Sequence, residues 1–276
     1  MFQNSKCYGL LLAIAVFSIS CSTNKYAATN KVYKDKANDF AEVIKEMPPV
    51  KQQIDSLPVN EQTWVASVNF GMRKPNFVII HHTAQDSVEQ TIKTFTLAST
   101  QTSAHYVIGK DGKVVQMVND YLRANHAGVG KWGNDTDLNS SSIGIELDNS
   151  GLGEPYSEAL MASLIKLLGT LKQKYNIPTA NFIGHADIAP GRKVDPYKFP
   201  WKQLADKGFG YWQDGLLIHP TVDFDPVLAL RVIGYDTRNL SNAIKSFKLH
   251  FVQTDENPVL SDDDKLILYN LYKKYL

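Results

Sequence analysis

Apolar and polar positions along this chain switch between two spacings, and the switches predict its elements. Phe77-Val78-Ile79-Ile80 is an unbroken apolar run of β-branched type, the mark of a buried strand. Asp86 with Glu89 three residues on is a helix-start signature, and Val88, Ile92 and Phe95 follow on one face. Ala104–Ile108 and Val114–Val118 read as strands joined across Lys110-Asp111-Gly112, whose Asp-Gly suits a tight hairpin. Ser142–Leu147 reads as another strand. Ser157 then caps a long amphipathic helix that buries Leu160, Leu164, Leu167, Leu168 and Leu171. Asn181–Gly184 supplies a last short strand. Strand, helix, hairpin, strand, helix, strand is the order of an α/β fold, with a mixed central β-sheet flanked by helices.

The texture changes after Tyr211. Pro226–Ile233, Leu240–Phe251 and Ser261–Tyr275 carry leucine or isoleucine at helical spacing, and Asp225-Pro226 and Ser261-Asp262-Asp263-Asp264 are good helix starts. They predict a small three-helix C-terminal domain over 217–276, of a size that folds alone only marginally. Residues 22–60 are polar, with a short helix expected over Asn38–Glu46 through Phe40, Val43 and Ile44. The expected organisation is a signal over 1–20, a tether over 21–60, a main domain over 61–215 and the helical tail.

Of the 276 residues, 43% are hydrophobic, enough for one large core or a core with a satellite. The formal net charge of +1 implies no basic face and argues against nucleic acid as a partner. At the start, Lys6 precedes the apolar run Tyr8–Phe17, which is too short to span a bilayer and reads as a secretory signal. Ser18-Ile19-Ser20-Cys21 resembles a bacterial lipoprotein signal, with Cys21 as the lipidated first residue of the mature chain, although Ser18 stands where leucine is usual. The alternative is an ordinary signal cut near Ser20. Cys7 and Cys21 are the only cysteines, so cleavage at Cys21 leaves no structural disulfide. Ser22 supplies no acidic retention signal, and the anchored chain is expected in the cell envelope at the outer membrane, facing the periplasm.

The chemistry concentrates in His185–Asp195. A histidine and a carboxylate lie ten residues apart, with Lys193 and an Ala189-Pro190-Gly191 turn between them. His81 ends the first apolar run. Two histidines and one carboxylate form a three-ligand set that leaves a fourth zinc position open for water, whose pKa then falls toward neutrality. A lone histidine at a strand end is more often a packing or surface residue; the company of His185 and Asp195 shifts that reading. His82 points opposite to His81 on an extended strand, so only one of the two can be a ligand. Glu146 lies between isoleucine and leucine, where a carboxylate is costly unless paired, metal-linked or facing a cleft. Beside an activated water it suits a general base; strand alternation equally permits a solvated side chain. Lys193 is either an oxyanion donor or a solvated loop lysine.

Five segments together resemble a known family. Ile79-Ile80-His81-His82-Thr83-Ala84, Ser103-Ala104-His105-Tyr106, Asn125-His126-Ala127-Gly128, Ser142–Leu147 and Gly184–Pro196 are similar, in this order, to the motifs of zinc-dependent N-acetylmuramoyl-L-alanine amidases. The likeness covers roughly residues 60–210. It implies the fold shared by peptidoglycan recognition proteins and T7-type phage lysozyme. Members with a lipidated start and a three-helix tail match best. Carried over by position, His81, His185 and Asp195 are the Zn2+ ligands, Glu146 the catalytic glutamate and Lys193 the oxyanion support. His105 and His126 match positions near the substrate cleft. Tyr197 departs from the pattern, since relatives often have glycine there. The implied reaction is hydrolysis of the amide joining N-acetylmuramic acid, normal or 1,6-anhydro, to L-alanine in peptidoglycan or muropeptides, by a lipid-anchored monomer. A non-catalytic recognition module and a zinc peptidase cutting within the stem peptide are the competing readings. The three helices resemble peptidoglycan-binding domains or serve as a packing appendage.

Overall fold

A computed structural model describes residues 24–45 and 72–276, which fall in two compact units divided after Asn69. Signal residues 1–20, Cys21 and the second part of the expected tether, 46–60, lie outside the described residues. In the first unit the described element is α1 (Ala27–Lys45), with none of its residues buried. It starts eleven residues before the helix expected there, because Phe40, Val43 and Ile44 mark only its second half.

In the second unit, β1 (Phe77–His82), α2 (Val88–Thr96), β2 (Tyr106–Ile108) and β3 (Val114–Gln116) come first. Then follow α3 (Leu138–Ser141), β4 (Ser142–Leu147), α4 (Glu158–Tyr175), β5 (Phe182–Gly184), α5 (His185–Ile188) and α6 (Trp201–Ala205). The sheet order is β3-β2-β4-β1-β5, with β2–β3 antiparallel and the other pairs parallel. This is the mixed sheet that the apolar pattern predicts. Two local details differ. Ser87 rather than Asp86 caps α2, its hydroxyl accepting the Gln90 N–H at 3.2 Å. The β2–β3 connection is wider than a two-residue turn, with Gly109 N–H donating to Lys113 O. Ser157 caps α4 as expected, accepting the Leu160 N–H.

Alternation along the strands splits the core in two. Val78, Ile80, Ile143, Ile145 and Leu147 meet Leu160, Leu164 and Leu168 of α4 in one cluster. Ile79 and Ile183 point the other way, into a second cluster with Ile188, Leu230, Ile233, Phe247 and Leu271. Those last four belong to the C-terminal helices α7 (Pro226–Ile233), α8 (Leu240–Phe247) and α9 (Asp262–Tyr275), with a π-turn at Lys248–Val252 after α8. All three helices are where their spacing predicts. The separate satellite over 217–276 is not what the packing forms: the helices share the core of the sheet within one compact unit, Phe70–Leu276. Their apolar stripes, too short for a core of their own, are buried against the sheet face.

Candidate active site and metal triad

The parallel strands β4, β1 and β5 lie side by side, so their C-terminal ends deliver residues to one place. Register pairs His81 of β1 with Glu146 of β4, and Ile80 with Gly184, immediately before His185. Paired residues in a parallel ladder share a face, so His81 and Glu146 project together. His185 opens α5, and its neighbour Ala186 donates its N–H to Asp195 O at 2.8 Å, folding the following loop back.

His81, His185 and Asp195 are buried and converge. His81 Nδ1 is 2.9 Å from His185 Nδ1 and 3.2 Å from Asp195 Oδ2, and His185 Nδ1 is 3.0 Å from the same oxygen. The far nitrogens set the tautomers. His185 Nε2–H donates to Ala127 O at 3.0 Å, and His81 Nε2–H to His126 Nδ1 at 3.1 Å. His126 passes the chain on, its Nε2–H donating to Ser142 Oγ at 3.2 Å, whose hydroxyl donates to Leu138 O. Both ligand-side nitrogens therefore present lone pairs to a point that also faces a carboxylate oxygen. Three lone-pair donors at this spacing match the edge of a tetrahedral shell, roughly 3.3 Å for metal bonds near 2.0 Å. The donor set fits a small cation bound by nitrogen and oxygen, with the outer hydrogen bonds that orient such ligands.

Electrostatics agree. Burial, then the His185 ring, pushes His81 down to about 4 against the pull of Asp195. Burial works to raise Asp195, but hydrogen bonds from His185 and His81 outweigh it and hold the carboxyl well below its usual range. His126 is held well below its ordinary value by burial and then by His81. A neutral imidazole at His81 beside an ionised Asp195 carboxylate suits metal binding.

The triad lies at the floor of a cleft of about 460 Å³, whose lining includes His82, Thr91, Phe95, Glu146, Arg192 and Lys193. Glu146 Oε2 is buried with no hydrogen-bond partner among the described residues. Burial and the Asp195 charge raise its carboxyl to about 8, with Lys193 pulling the other way. Glu146 thus sets an unpartnered oxygen of raised proton affinity beside the three converging side chains.

Of the seven residues that the sequence marked for this site, six share the cleft. His105 does not: it is fully buried, its Nδ1 accepting the Gly144 N–H at 3.0 Å and its Nε2–H donating to Leu122 O at 3.1 Å. It ties the start of β2 to β4 and does not line this cleft. His126 borders the cleft, yet both ring nitrogens are engaged and its ring lies over Gly144, where a Cβ would come within 2.3 Å of it. Its geometry is that of a support for His81. His82 turns aside, accepting the Tyr197 N–H at 3.1 Å, so His81 is the histidine in the triad. The unusual Tyr197 enters through its backbone. Asn139 escaped notice in the sequence, since nothing local marks it, and Ser142 stood there only as the start of a strand motif; Asn139 Oδ1 accepts the N–H groups of His126 and Ala127. Arg192 also escaped notice, although it lies inside the His185–Asp195 motif; it donates to Ala127 O at 3.0 Å and to Val129 O.

Comparison with known proteins bears on the same residues. A family model described as N-acetylmuramoyl-L-alanine amidase matches residues 71–198. The chain is 34% identical over 231 residues to N-acetylmuramoyl-L-alanine amidase AmiD of Escherichia coli strain K12, covering 72% of this chain and 82% of that protein. It is 38% identical over 103 residues to 1,6-anhydro-N-acetylmuramyl-L-alanine amidase AmpD of Haemophilus influenzae, covering 37% of this chain and 55% of that protein. Among solved structures, E. coli AmiD in complex with anhydro-N-acetylmuramic acid-L-Ala-D-γ-Glu-L-Lys matches with a TM-score of 0.66 at 32% identity, over 76% of this chain and 93% of that one. AmpDh3 from Pseudomonas aeruginosa matches with a TM-score of 0.66 at 27% identity, over 79% and 99%. With sequence and fold agreeing across most of both chains, and the matched segment spanning the triad, this chain belongs to the N-acetylmuramoyl-L-alanine amidase family.

Proposed function

We propose that the protein hydrolyses the amide bond between N-acetylmuramic acid, with a normal or 1,6-anhydro end, and L-alanine in peptidoglycan and its muropeptides, in cell-wall turnover or recycling. Zn2+ is the cation proposed for His81, His185 and Asp195, because mixed imidazole and carboxylate ligands suit it. When bound, it supplies Lewis acidity toward the amide carbonyl and water. The chain's own residues do the rest. Glu146 accepts a proton from the attacking water and returns it to the leaving amine of L-alanine. The Lys193 ammonium offsets negative charge gathering on the amide oxygen. His126 and the Ala127 carbonyl keep the two histidines aimed. The observation that carries the reading is the unpartnered Glu146 oxygen beside the converging triad, in a chain of this family.

The substrate reading draws support from the muropeptide bound to E. coli AmiD and from the names of the AmpD relatives. Mass spectrometry of muropeptides treated with residues 22–276 and zinc is the test. Free stem peptide and intact sugar are expected, with chelator stopping the release. A cut inside the peptide that leaves the lactyl–alanine bond intact would assign a peptidase instead.

The chain is further proposed to be a monomeric lipoprotein anchored through Cys21 to the outer membrane and facing the periplasm. The basic, short apolar start and the break at Ser18–Cys21 support this. No helix among the described residues is long and apolar enough to cross a membrane. Cys21→Ala is expected to abolish radiolabelled fatty-acid incorporation and to release the chain from the membrane fraction.

A further inference from the structure

Behind the triad, a buried carboxylate that the reaction does not use joins the metal loop to the C-terminal helices. Asp187 is two residues beyond His185 on the single turn α5 and is 1% exposed. Its Oδ2 accepts the Gly184 N–H at 2.7 Å, closing the turn that carries His185. Its remaining partners come from far along the chain. Tyr235 O–H donates to Oδ1 at 2.7 Å, and His250 Nδ1–H donates to Oδ2 at 2.8 Å. Tyr235 follows α7 and His250 lies in the π-turn after α8.

Both rings are held firmly. His250 is stacked between Trp201, at 3.9 Å and 15°, and Phe251, at 4.0 Å and 16°. Tyr235 meets Trp132 edge-on at 5.0 Å. Next to it, Gly234 has φ +134°, and a Cβ there would come within 2.4 Å of the Trp132 ring, so glycine alone lets this segment approach.

We propose that Tyr235 and His250 are positioning residues for the metal centre. Through Asp187 they fix the orientation of α5, and so the aim of His185 Nδ1 at the point shared with His81 and Asp195. The proposal rests on the reading of that triad as a cation site. Two observations separate it from plain packing. Apolar contacts already hold the helices to the sheet, so docking needs no buried carboxylate, and a buried carboxylate is tolerated only when hydrogen-bonded. Moreover, α5 is four residues long and cannot be stiff by itself. Its ends are set by the Asp187 carboxylate and by the ties from Ala186 N–H to Asp195 O and from Lys131 N–H to Ile188 O. Loss of donors at Asp187 frees the turn that carries one ligand and is tied to a second. Outer hydrogen bonds of this kind typically change metal affinity 10- to 100-fold.

The test uses the full mature chain, stripped of metal and titrated with Zn2+ against a chromophoric chelator, with Co2+ absorption as a report on ligand geometry. His250→Phe keeps the stack and removes the donor; Tyr235→Phe removes one hydroxyl. Together they are expected to weaken Zn2+ binding on the order of 10-fold or more and to shift the Co2+ bands. Tyr235→Phe alone, a one-atom change, is expected to weaken it several-fold and decides the question by itself should the double variant not fold. His250→Asn, which returns an N–H donor close to Nδ1, is expected to restore most of the affinity. Leu271→Ala, in the same helical layer and without contact to Asp187, is expected to lower Tm while leaving affinity unchanged. Wild-type affinity in the Tyr235 and His250 variants, or equal weakening by Leu271→Ala, overturns the proposal. Absence of Zn2+ uptake by the wild-type chain overturns the triad reading itself, and this one with it.

Discussion

The two faces of the central sheet are built on opposite plans. The face under α4 is built mainly by apolar burial, strand isoleucines, valine and leucine against the helix leucines, with one buried polar group in which Tyr106 and Tyr175 donate to Asp120. The face under the C-terminal helices is apolar at its base and polar at its top, where His81, Glu146 and Gly144 follow Ile79 and Ser142 on the same side. One face stabilises the fold by burial that is indifferent to direction. On the other, hydrogen bonds aim His81, His126 and Ser142, while the Glu146 Oε2 atom is left without a partner beside the cleft. The sheet thus separates what holds the molecule together from what gives it chemistry, and substitutions on the two faces should fail in opposite ways.

The largest effect is expected from Glu146→Gln on the polar face. Turnover of muropeptide should fall on the order of 10²- to 10⁴-fold, the usual contribution of a general base, while zinc content stays unchanged. Stability should move the other way. Removing a buried, unpartnered carboxylate relieves a desolvation penalty, so the metal-free variant is expected to melt higher than the metal-free wild type. A variant that keeps near-normal turnover removes Glu146 from the mechanism.

On the α4 face the opposite pairing is expected. Leu164 is fully buried there, and Leu164→Ala should cost about 2–5 kcal/mol of stability through lost burial and the cavity left behind. Denaturant titration measures the loss, and activity per folded molecule, at a temperature where the variant is folded, should match wild type. A fall in both would mean that the α4 face also shapes the site, and the division between faces would be lost.

Gly144→Ala tests whether the polar face depends on close approach. The new methyl group meets the His126 ring, and the ring must move off His81. Overpacking of this kind typically costs about 1–3 kcal/mol, and zinc affinity should weaken roughly 10-fold through the lost support. Unchanged affinity would mean that His81 holds its aim without His126.

The same division explains what could be read in the sequence. The α4 face was legible because burial on both strand and helix leaves a periodic trace: the run Phe77–Ile80, the leucines of α4 and the cap Ser157 all stand where expected. The C-terminal helices were legible singly for the same reason. Their docking was not, since an apolar stripe announces a partner without saying which. On the polar face, residue type alone is ambiguous. His105 and His126 come from similar motifs, yet one ring ties β2 to β4 and the other backs His81. Asp86 and Ser87 are both capping residues, and a single hydrogen bond to Ser87 decides where α2 begins. Tyr235 and His250 carry no local mark because their partner, Asp187, is 48 and 63 residues away along the chain.

The smallest effect, and the finest cut at the comparison, is expected from Ser142→Ala. Ser142 opens β4, and its hydroxyl both accepts from His126 and donates to the Leu138 carbonyl, so it ends the chain that begins at His81. If orientation is passed along that chain, losing its last link should cost about 1 kcal/mol of stability and weaken zinc binding by a few-fold, less than Gly144→Ala because the His126 ring keeps its seat. Thermal melting and a metal-competition titration, run on the same preparation, separate the two quantities. A stability loss with zinc binding untouched would place the limit of the metal's support at His126. Ser142 would then belong with the residues that hold the sheet together, although it lies on the face that carries the chemistry.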